Sequence, residues 1–181
     1  MDAQQLHDYI IKPTLEHMDL MLGNYNTKEA RFLLLCTAAI ESNCGGKIVQ
    51  DDIEYGKGGL GMFQMESKTH DDTWINCDAL KDGEFASLIS RLRDRRHVRH
   101  EWGHLLTSPM YACAMARLKY AMDKESLPEM PSTGRELMAT DAYCFWVQYK
   151  RIYNTNLGSA MFDRWVQALE DNRIFNVDLG K

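Results

Sequence analysis

The chain has little proline and no long apolar stretch. Its 181 residues include four prolines and twelve glycines, too few for a long disordered linker. No run of about eighteen apolar residues is present, so we expect no membrane insertion. Residues 1–5 lack the basic and apolar regions of a secretory signal, so we expect a protein that is made without one. Internal repeats and low-complexity segments are also missing.

The five cysteines form no C-x-x-C pair. An odd number of cysteines without a secretory signal favours reduced thiols over a disulfide framework. Cys36, Cys113 and Cys144 lie in apolar helical runs, and we expect them to be small core residues. A disulfide between Cys44 and Cys77 remains an alternative. We expect no cofactor and no bound metal.

The composition is that of one globular domain. The net charge is −5, which disfavours nonspecific binding to nucleic acid. The hydrophobic fraction of 45% and the length fit a single domain, residues 1–181, with a real core.

Helical spacing of apolar residues dominates the chain, so the sequence predicts a mainly α protein. A glycine-rich loop or small β-hairpin is predicted between the second helix and the third. Thr27 is the predicted N-cap of a buried helix, and Ser108-Pro109 is a clean helix start. The predicted helices cover 3–22 with an interruption at Pro13, 28–42, a stretch from Ser67, an Arg-rich 84–99 with its arginines outward, 109–122, 134–152 and 159–170.

Glu41 ends the apolar run 32–40 and is followed, some twenty residues later, by a glycine-rich turn at 58–65. An apolar wall raises the pKa of a carboxylic acid, so the acid keeps a proton near neutral pH. Glycines allow the backbone to approach a sugar closely. This pairing is typical of an acid that cleaves a glycosidic bond. The other interpretation is a helix-end carboxylate that bonds nearby backbone.

The sequence resembles the lysozyme-like lytic transglycosylases in three segments. These are Glu41-Ser42 at a helix end, the turn Gly59-Leu60-Gly61-Met62-Phe63-Gln64-Met65, and Tyr153-Asn154-Thr155, which is similar to their Tyr-Asn-Ala-Gly element. The resemblance implies a lysozyme-like domain that cleaves peptidoglycan glycan strands, with Glu41 as the general acid/base. It also implies a substrate cleft lined by Ser42, Gly61, Met62, Phe63, Gln64, Tyr143, Tyr153 and Asn154.

A second resemblance covers much of the chain and points to phage and prophage virion-associated proteins with a lysozyme-like core. The matching segments are 62–66 with 69–74, 114–120 and 149–158. This resemblance implies a protein of the virion tail or baseplate, made in the host cytoplasm and acting on the host cell wall. Other virion proteins are the expected partners. A structural virion protein without activity is the first alternative.

A transglycosylase needs no second carboxylate, because the muramoyl 6-hydroxyl itself attacks the anomeric carbon. A hydrolase needs one at about 5–5.5 Å for retention or about 6.5–9.5 Å for inversion. Asp51, Asp52, Glu54 and Glu66 are candidates, and their spacing does not single one out. Glu66 is also a predicted cap of the helix that begins near Ser67.

The segment His100-Glu101-Trp102-Gly103-His104 matches the H-E-x-x-H pattern of zinc metallopeptidases. On an α-helix this spacing places two imidazoles one turn apart, with the glutamate as general base. Glu125 or Glu129 would supply a third ligand. Against this second alternative, Gly103 weakens a helix by about 1 kcal/mol, and a new helix starts only four residues after His104.

Overall fold

A computed structural model describes residues 1–49, 57–94, 98–130, 139–154 and 161–180. The prediction of a mainly α protein is confirmed. The α-helices in the described ranges are α1 (Ala3–Leu6), α2 (Lys12–Asp19), α3 (Lys28–Ser42), α4 (Ser67–Asn76), α5 (Gly83–Arg91), α6 (His104–Thr107), α7 (Pro109–Ala121), α8 (Ala139–Ile152) and α9 (Phe162–Asp171). Short 3₁₀ turns lie at Asp78–Lys81, Glu101–Gly103 and Ile174–Asn176.

The first two helices are joined by a π-helical turn, His7–Ile11, and not by a break at Pro13. Proline has no N–H to donate and clashes with the carbonyl one turn earlier in a regular α-helix. The wider turn places the N–H of Lys12 on the carbonyl of His7, one residue further back than usual. Pro13 then falls in the first turn of α2, the part of a helix that tolerates proline best.

Helix α3 is the centre of the core. The predicted N-cap is confirmed, since the Thr27 hydroxyl accepts a 3.1 Å hydrogen bond from the N–H of Ala30. Every residue from Ala30 to Ala39 is buried, because α3 packs against α7, α8 and α9. Full burial of each large apolar side chain contributes about 1.5–3 kcal/mol to stability. The helix ends at Ser42 and is capped by Asn43, whose left-handed backbone has φ of 53°.

The start of α7 is as predicted, with Ser108 at the N-cap and Pro109 in the first turn. The Ser108 hydroxyl accepts from the N–H of Tyr111 at 3.3 Å. It also donates to the carbonyl of Leu92 at 2.6 Å. One serine thus caps α7 and ties down the chain that leaves α5.

The predicted helix 84–99 is wrong for the described residues beyond Arg91, and residues 95–97 of the prediction lie outside the described residues. Helix α5 ends there, and residues 92–94 and 98–100 are not helical. The prediction that Arg93 points outward is also wrong. Its guanidinium lies 4.9 Å from the ring centre of Trp74 and 5.3 Å from that of Tyr111, so it is mostly buried. A cation–π contact of this kind contributes about 0.5–2 kcal/mol.

Helices α8 and α9 contribute an aromatic layer beside α3. Trp146 on α8 packs against Phe162 and Trp165 of α9, with ring centres 6.0 and 5.9 Å apart. Residues 134–138 and 159–160, where the sequence also predicts helix, lie outside the described residues. Helix α9 extends to Asp171, one residue past the prediction.

Two isolated antiparallel bridges join described residues, Val49 with Leu60 and Leu60 with Met65. Leu60 and Met65 exchange both backbone hydrogen bonds, at 3.1 and 3.2 Å. Residues 61–64 therefore form a tight turn, which is the hairpin-like part of the predicted loop. Residues 50–56 of that loop lie outside the described residues.

All five cysteines carry free thiols, so the alternative of a Cys44–Cys77 disulfide is wrong. Cys36 and Cys113 are core residues, as predicted. Cys144 is exposed, because it lies on the outer face of α8, opposite the buried Ala142 and Phe145. Among the described residues, none of the helices is both long and apolar enough to cross a bilayer.

Candidate active site

Glu41 occupies the last turn of α3, one residue before its final residue, Ser42. The side chain is half-buried. Burial raises the pKa of its carboxyl from 4.5 to about 7, because the charged form loses solvation. The negative end of the helix dipole also disfavours a carboxylate here. At neutral pH the group is thus divided between its acid and its base forms.

Two side chains from the end of α8 act on this carboxyl. The Tyr149 hydroxyl donates a 2.7 Å hydrogen bond to Oε1 of Glu41. The side-chain amide of Asn154 interacts with the same carboxyl, and both donors lower its pKa. The negative charge of Glu66 raises it. Burial outweighs the two donors, so the net shift in pKa is upward.

The glycine turn is held in shape by the side chain of Gln64 and by a close backbone approach at Gly59. Gln64 has a left-handed φ of 46°, and its Nε2 donates to the carbonyl of Gly61 at 2.7 Å and to that of Lys47 at 3.2 Å. A Cβ on Gly59 would lie 2.3 Å from the Gln64 carbonyl oxygen. The turn therefore requires glycine at 59, and the Gln64 side chain fixes its shape from inside.

Ser42 attaches the turn to α3. Its hydroxyl donates to the carbonyl of Met62 at 2.6 Å and accepts from the N–H of Gly45 at 2.8 Å. From the other side, the Tyr153 hydroxyl donates to the carbonyl of Phe63 at 2.8 Å. The structure thus brings together the helix end, the glycine turn and the end of α8, the three segments that the sequence singled out.

Most of the predicted substrate-contact side chains face the protein interior. Ser42, Met62, Phe63 and Gln64 are buried, between 1% and 7% exposed. Tyr143 is exposed and packs edge-on against Phe162 at 5.3 Å, two turns before Tyr149 on α8. These positions remain predictions as substrate contacts, and their observed role is to shape the turn and the surface around it.

Tyr149 is the site residue that the sequence reasoning missed. Its ring stacks on Tyr153 at 6.3 Å, and Tyr153 stacks on Tyr120 at 5.4 Å. The Tyr120 hydroxyl shares a 2.7 Å hydrogen bond with that of Thr37, one turn before Glu41 on α3. The available signal was the spacing of Tyr149 and Tyr153, which are four residues apart and so share a helix face.

The candidates for a second carboxylate are only partly described. Asp51, Asp52 and Glu54 lie outside the described residues. Glu66 is exposed, and its charge is felt at Glu41. It occupies the N-cap position of α4, but its side chain makes no capping hydrogen bond, so the predicted capping role is wrong.

The H-E-x-x-H segment does not form the α-helix that a zinc site of this type requires. His100 has extended backbone, Glu101–Gly103 form a 3₁₀ turn, and α6 begins only at His104. Glu101 pairs with Arg93, and the exposed His100 ring stacks on Trp102 at 5.2 Å. Within the described ranges, groups of three or more potential metal-ligating side chains do not occur.

The segment that follows this motif also packs against the glycine turn, at Leu105. A Cβ at Gly61, which has φ of +71°, would lie 2.1 Å from the carbonyl oxygen of Leu105. Behind it, buried His104 meets the Tyr111 ring edge-on at 6.1 Å. The Tyr111 hydroxyl bonds to Nε2 of His70 and accepts from Nε1 of Trp74, both at 2.8 Å. These contacts around Tyr111 support the segment at His104 and Leu105, which packs against the turn.

No protein-family model matches the chain, and neither a curated protein nor a solved structure matches it.

Proposed function

We propose that this protein is a peptidoglycan lytic transglycosylase of a bacteriophage, with Glu41 as its general acid/base. The observation that carries the proposal is a half-buried carboxyl with a pKa of about 7, bonded to Tyr149 and placed beside a backbone-defined glycine turn. An acid that must first donate and then accept a proton works best when its pKa is near the working pH.

In the proposed reaction, protonated Glu41 gives its proton to the glycosidic oxygen between N-acetylmuramic acid and N-acetylglucosamine. The bond from the anomeric carbon to that oxygen breaks, and the leaving sugar departs with a free hydroxyl. The carboxylate then takes the proton of the muramoyl 6-hydroxyl as this oxygen bonds to the anomeric carbon. The product is a 1,6-anhydro sugar, and Glu41 ends protonated, ready for another cycle.

The two donors favour the second half of this cycle. Tyr149 and Asn154 stabilise the charged carboxylate that forms after proton donation. Burial favours the protonated form needed at the start. These opposing effects hold both forms within reach near neutral pH.

We further propose that the virion tail or baseplate carries the protein to the cell wall. With a net charge of −5, the free protein is repelled by an anionic envelope, so attachment to a larger particle is the more effective route. Other virion proteins are then its partners.

A second candidate is a structural virion protein that has this shape without activity. The burial of Ser42, Met62, Phe63 and Gln64 favours it, because these side chains are occupied with the turn and present no free polar groups to a glycan.

The test incubates purified protein with murein sacculi and identifies the products by mass spectrometry. Wild type is compared with Glu41→Gln, with Glu66→Gln and with Glu170→Gln, an exposed control on α9. We expect 1,6-anhydromuropeptides that disappear only in Glu41→Gln. Reducing ends that are lost in both Glu41→Gln and Glu66→Gln would identify a hydrolase. Intact sacculi with folded wild type would overturn the proposed activity and support the structural role.

A further inference from the structure

A cavity of about 290 Å³ lies between α8 and the segment 125–129, which follows α7. Four of its lining residues are spaced three or four apart on α8 and so share one helix face. These residues are Cys144, Val147, Gln148 and Arg151. Gln148 is the buried member of this set, only 4% exposed, and it places a polar side chain at the cavity.

The carboxamide of Gln148 has no hydrogen-bond partner among the described residues. Both Oε1 and Nε2 are unpaired, and neither atom is exposed to solvent. Such an amide lowers the stability of the protein, because it has lost its bonds to water and gained none in exchange. Natural proteins leave polar groups unsatisfied mainly at functional sites. The amide therefore marks this cavity as a place where a ligand supplies one donor and one acceptor.

The segment 125–129 is loosely packed. Residues 126–129 have neither helical nor strand structure. The segment also lines a second cavity, of about 540 Å³, which separates it from the turn after α2. A segment with a cavity on the side of α8 and another on the side of this turn has few packing contacts to hold it. A small displacement of it is enough to bring the Gln148 amide within reach of a ligand.

The amide of Gln4 shows what a paired glutamine does in this protein. Its Nε2 donates to the carbonyl of Asp178 at 3.2 Å, and its Oε1 accepts from the N–H of the same residue at 2.9 Å. In an extended chain, the N–H and the C=O of one residue point to the same side. One carboxamide thus satisfies both groups, and an extended peptide is a ligand that would complete Gln148 in the same way.

The surroundings of the Gln148 amide favour a basic peptide. Four carboxylates and two guanidinium groups line the two cavities, so the lining is negatively charged. The carboxylates belong to Glu29, Asp123, Glu125 and Glu129, and the guanidinium groups to Arg117 and Arg151. A lysine or arginine on the bound peptide complements this charge.

We propose that the cavity beside Gln148 binds an extended, basic segment of a partner protein. One residue of that segment pairs its N–H and C=O with the Gln148 amide, and a neighbouring lysine or arginine lies near the carboxylates. Glu41 takes no part in this binding, so the inference does not rest on the proposed activity.

Cys144 lies one turn before Gln148 on the same face, so a peptide can be attached beside the amide. The probe is acetyl-cysteinyl-lysine methylamide, offered as its mixed disulfide with β-mercaptoethanol. The Cys144 thiolate attacks the peptide sulfur, the disulfide between Cys144 and the peptide forms, and β-mercaptoethanol leaves. Excess β-mercaptoethanol makes the exchange reversible, and intact-protein mass spectrometry gives the equilibrium occupancy.

Gln148→Met keeps the length of the side chain but removes both polar atoms. We expect it to lower the equilibrium constant for attachment by about three- to tenfold. It should also raise the thermal unfolding midpoint of the unliganded protein, because an unsatisfied amide is removed. Gln167→Met, which changes an exposed glutamine on α9, is the matched control and should alter neither value. The peptide with glutamate in place of lysine should attach less than the lysine peptide.

Equal attachment of the lysine peptide to wild type and Gln148→Met would overturn the inference, and so would equal or stronger attachment of the glutamate peptide. A lower unfolding midpoint in Gln148→Met, or its failure to fold, would show that the amide is already satisfied in the unliganded protein and would also overturn it. Attachment that depends on Gln148 in a wild type without activity on sacculi would sustain the inference while the proposed function fell.

Discussion

The hydroxyl of Tyr149 donates a 2.7 Å hydrogen bond to Oε1 of Glu41, across 108 residues of sequence. This bond joins the last turn of α8 to the last turn of α3. It stabilises the carboxylate form of a carboxyl that burial pushes toward the protonated form.

Tyr149→Phe should raise the Glu41 pKa above 7 by up to about one unit, because the charged form loses a donor and the ring stays in place. The measurement is a pH titration that follows the ¹³C chemical shift of the labelled side-chain carboxyl of Glu41, assigned by the signal lost in Glu41→Gln. Tyr143→Phe, an exposed tyrosine on the same helix, is the control and should leave the value unchanged. Equal shifts in both variants would contradict a specific role for the Tyr149 hydroxyl.

Glu41→Gln should make the protein more stable above neutral pH. The folded-state pKa of about 7 exceeds the ordinary 4.5, so this group favours folding fully below about pH 4.5. That contribution is lost as pH rises through 7. The whole shift corresponds to about 3 kcal/mol, and partial exposure reduces the expected effect to about 1–2 kcal/mol.

Urea unfolding of wild type and Glu41→Gln at pH 5 and pH 8 measures this difference. The wild type should lose stability relative to the variant between the two pH values, while Glu170→Gln follows the wild type. If wild type and Glu41→Gln differ in unfolding free energy by the same amount at both pH values, the pKa of Glu41 is not raised in the folded protein.

Gly61→Ala should destabilise the protein by more than about 2 kcal/mol. The new methyl group would lie 2.1 Å from the Leu105 carbonyl oxygen, at a backbone φ of +71°. Gly83→Ala is the matched control, since a Cβ there meets nothing within 4 Å. It should be neutral or stabilising by about 0.5 kcal/mol. Denaturant midpoints of the two variants decide the matter, and similar losses would refute the close approach at Gly61.

His100 and His104 should differ sharply, although a zinc site of the H-E-x-x-H type would need both. His104→Ala removes a buried ring that packs on Tyr111 and should cost about 2 kcal/mol. His100→Ala changes an exposed ring and should cost about 0.5 kcal/mol or less. Thermal unfolding measures both, and stoichiometric zinc lost in either variant would revive the metallopeptidase alternative.

Cys144 should be the thiol that reacts first in the native protein, because it is exposed and the other four cysteines are buried. Burial also raises the pKa of the Cys36, Cys44, Cys77 and Cys113 thiols, which leaves them less nucleophilic. A chromogenic disulfide reagent should label one thiol per chain rapidly and the rest only after unfolding. Cys144→Ser should abolish the rapid phase; rapid labelling that persists would place another cysteine at the surface.

The helix starts could be predicted from the sequence, because they depend on residues close together in the chain. Thr27 and Ser108-Pro109 mark helix starts because capping depends on groups within three residues. The end of α5 was not predictable in this way. It depends on Arg93 entering the space between Trp74 and Tyr111, which come from two other helices.

The site shows the same division. Glu41 and the glycine turn were found from composition and order along the chain. The hydrogen bond from Tyr149 to Glu41 and the close approach of the Leu105 carbonyl to Gly61 join residues far apart in the sequence. Neither contact produces a recognisable pattern within one segment of the sequence. The prediction of Cys144 as a core residue was wrong. An apolar helical run does not show which residues at the margin of its apolar face are exposed.

Glu41 is carried by the helix whose preceding residues form the centre of the core. Amide hydrogens in the last turns of α3 should therefore be among the slowest in the described chain to exchange with solvent, because they adjoin the most deeply buried part of the core. The surroundings of Glu41 and the folded state would then be lost together on heating. The site would have no separate melting step, and the activity proposed above would report directly on the fraction of molecules still folded.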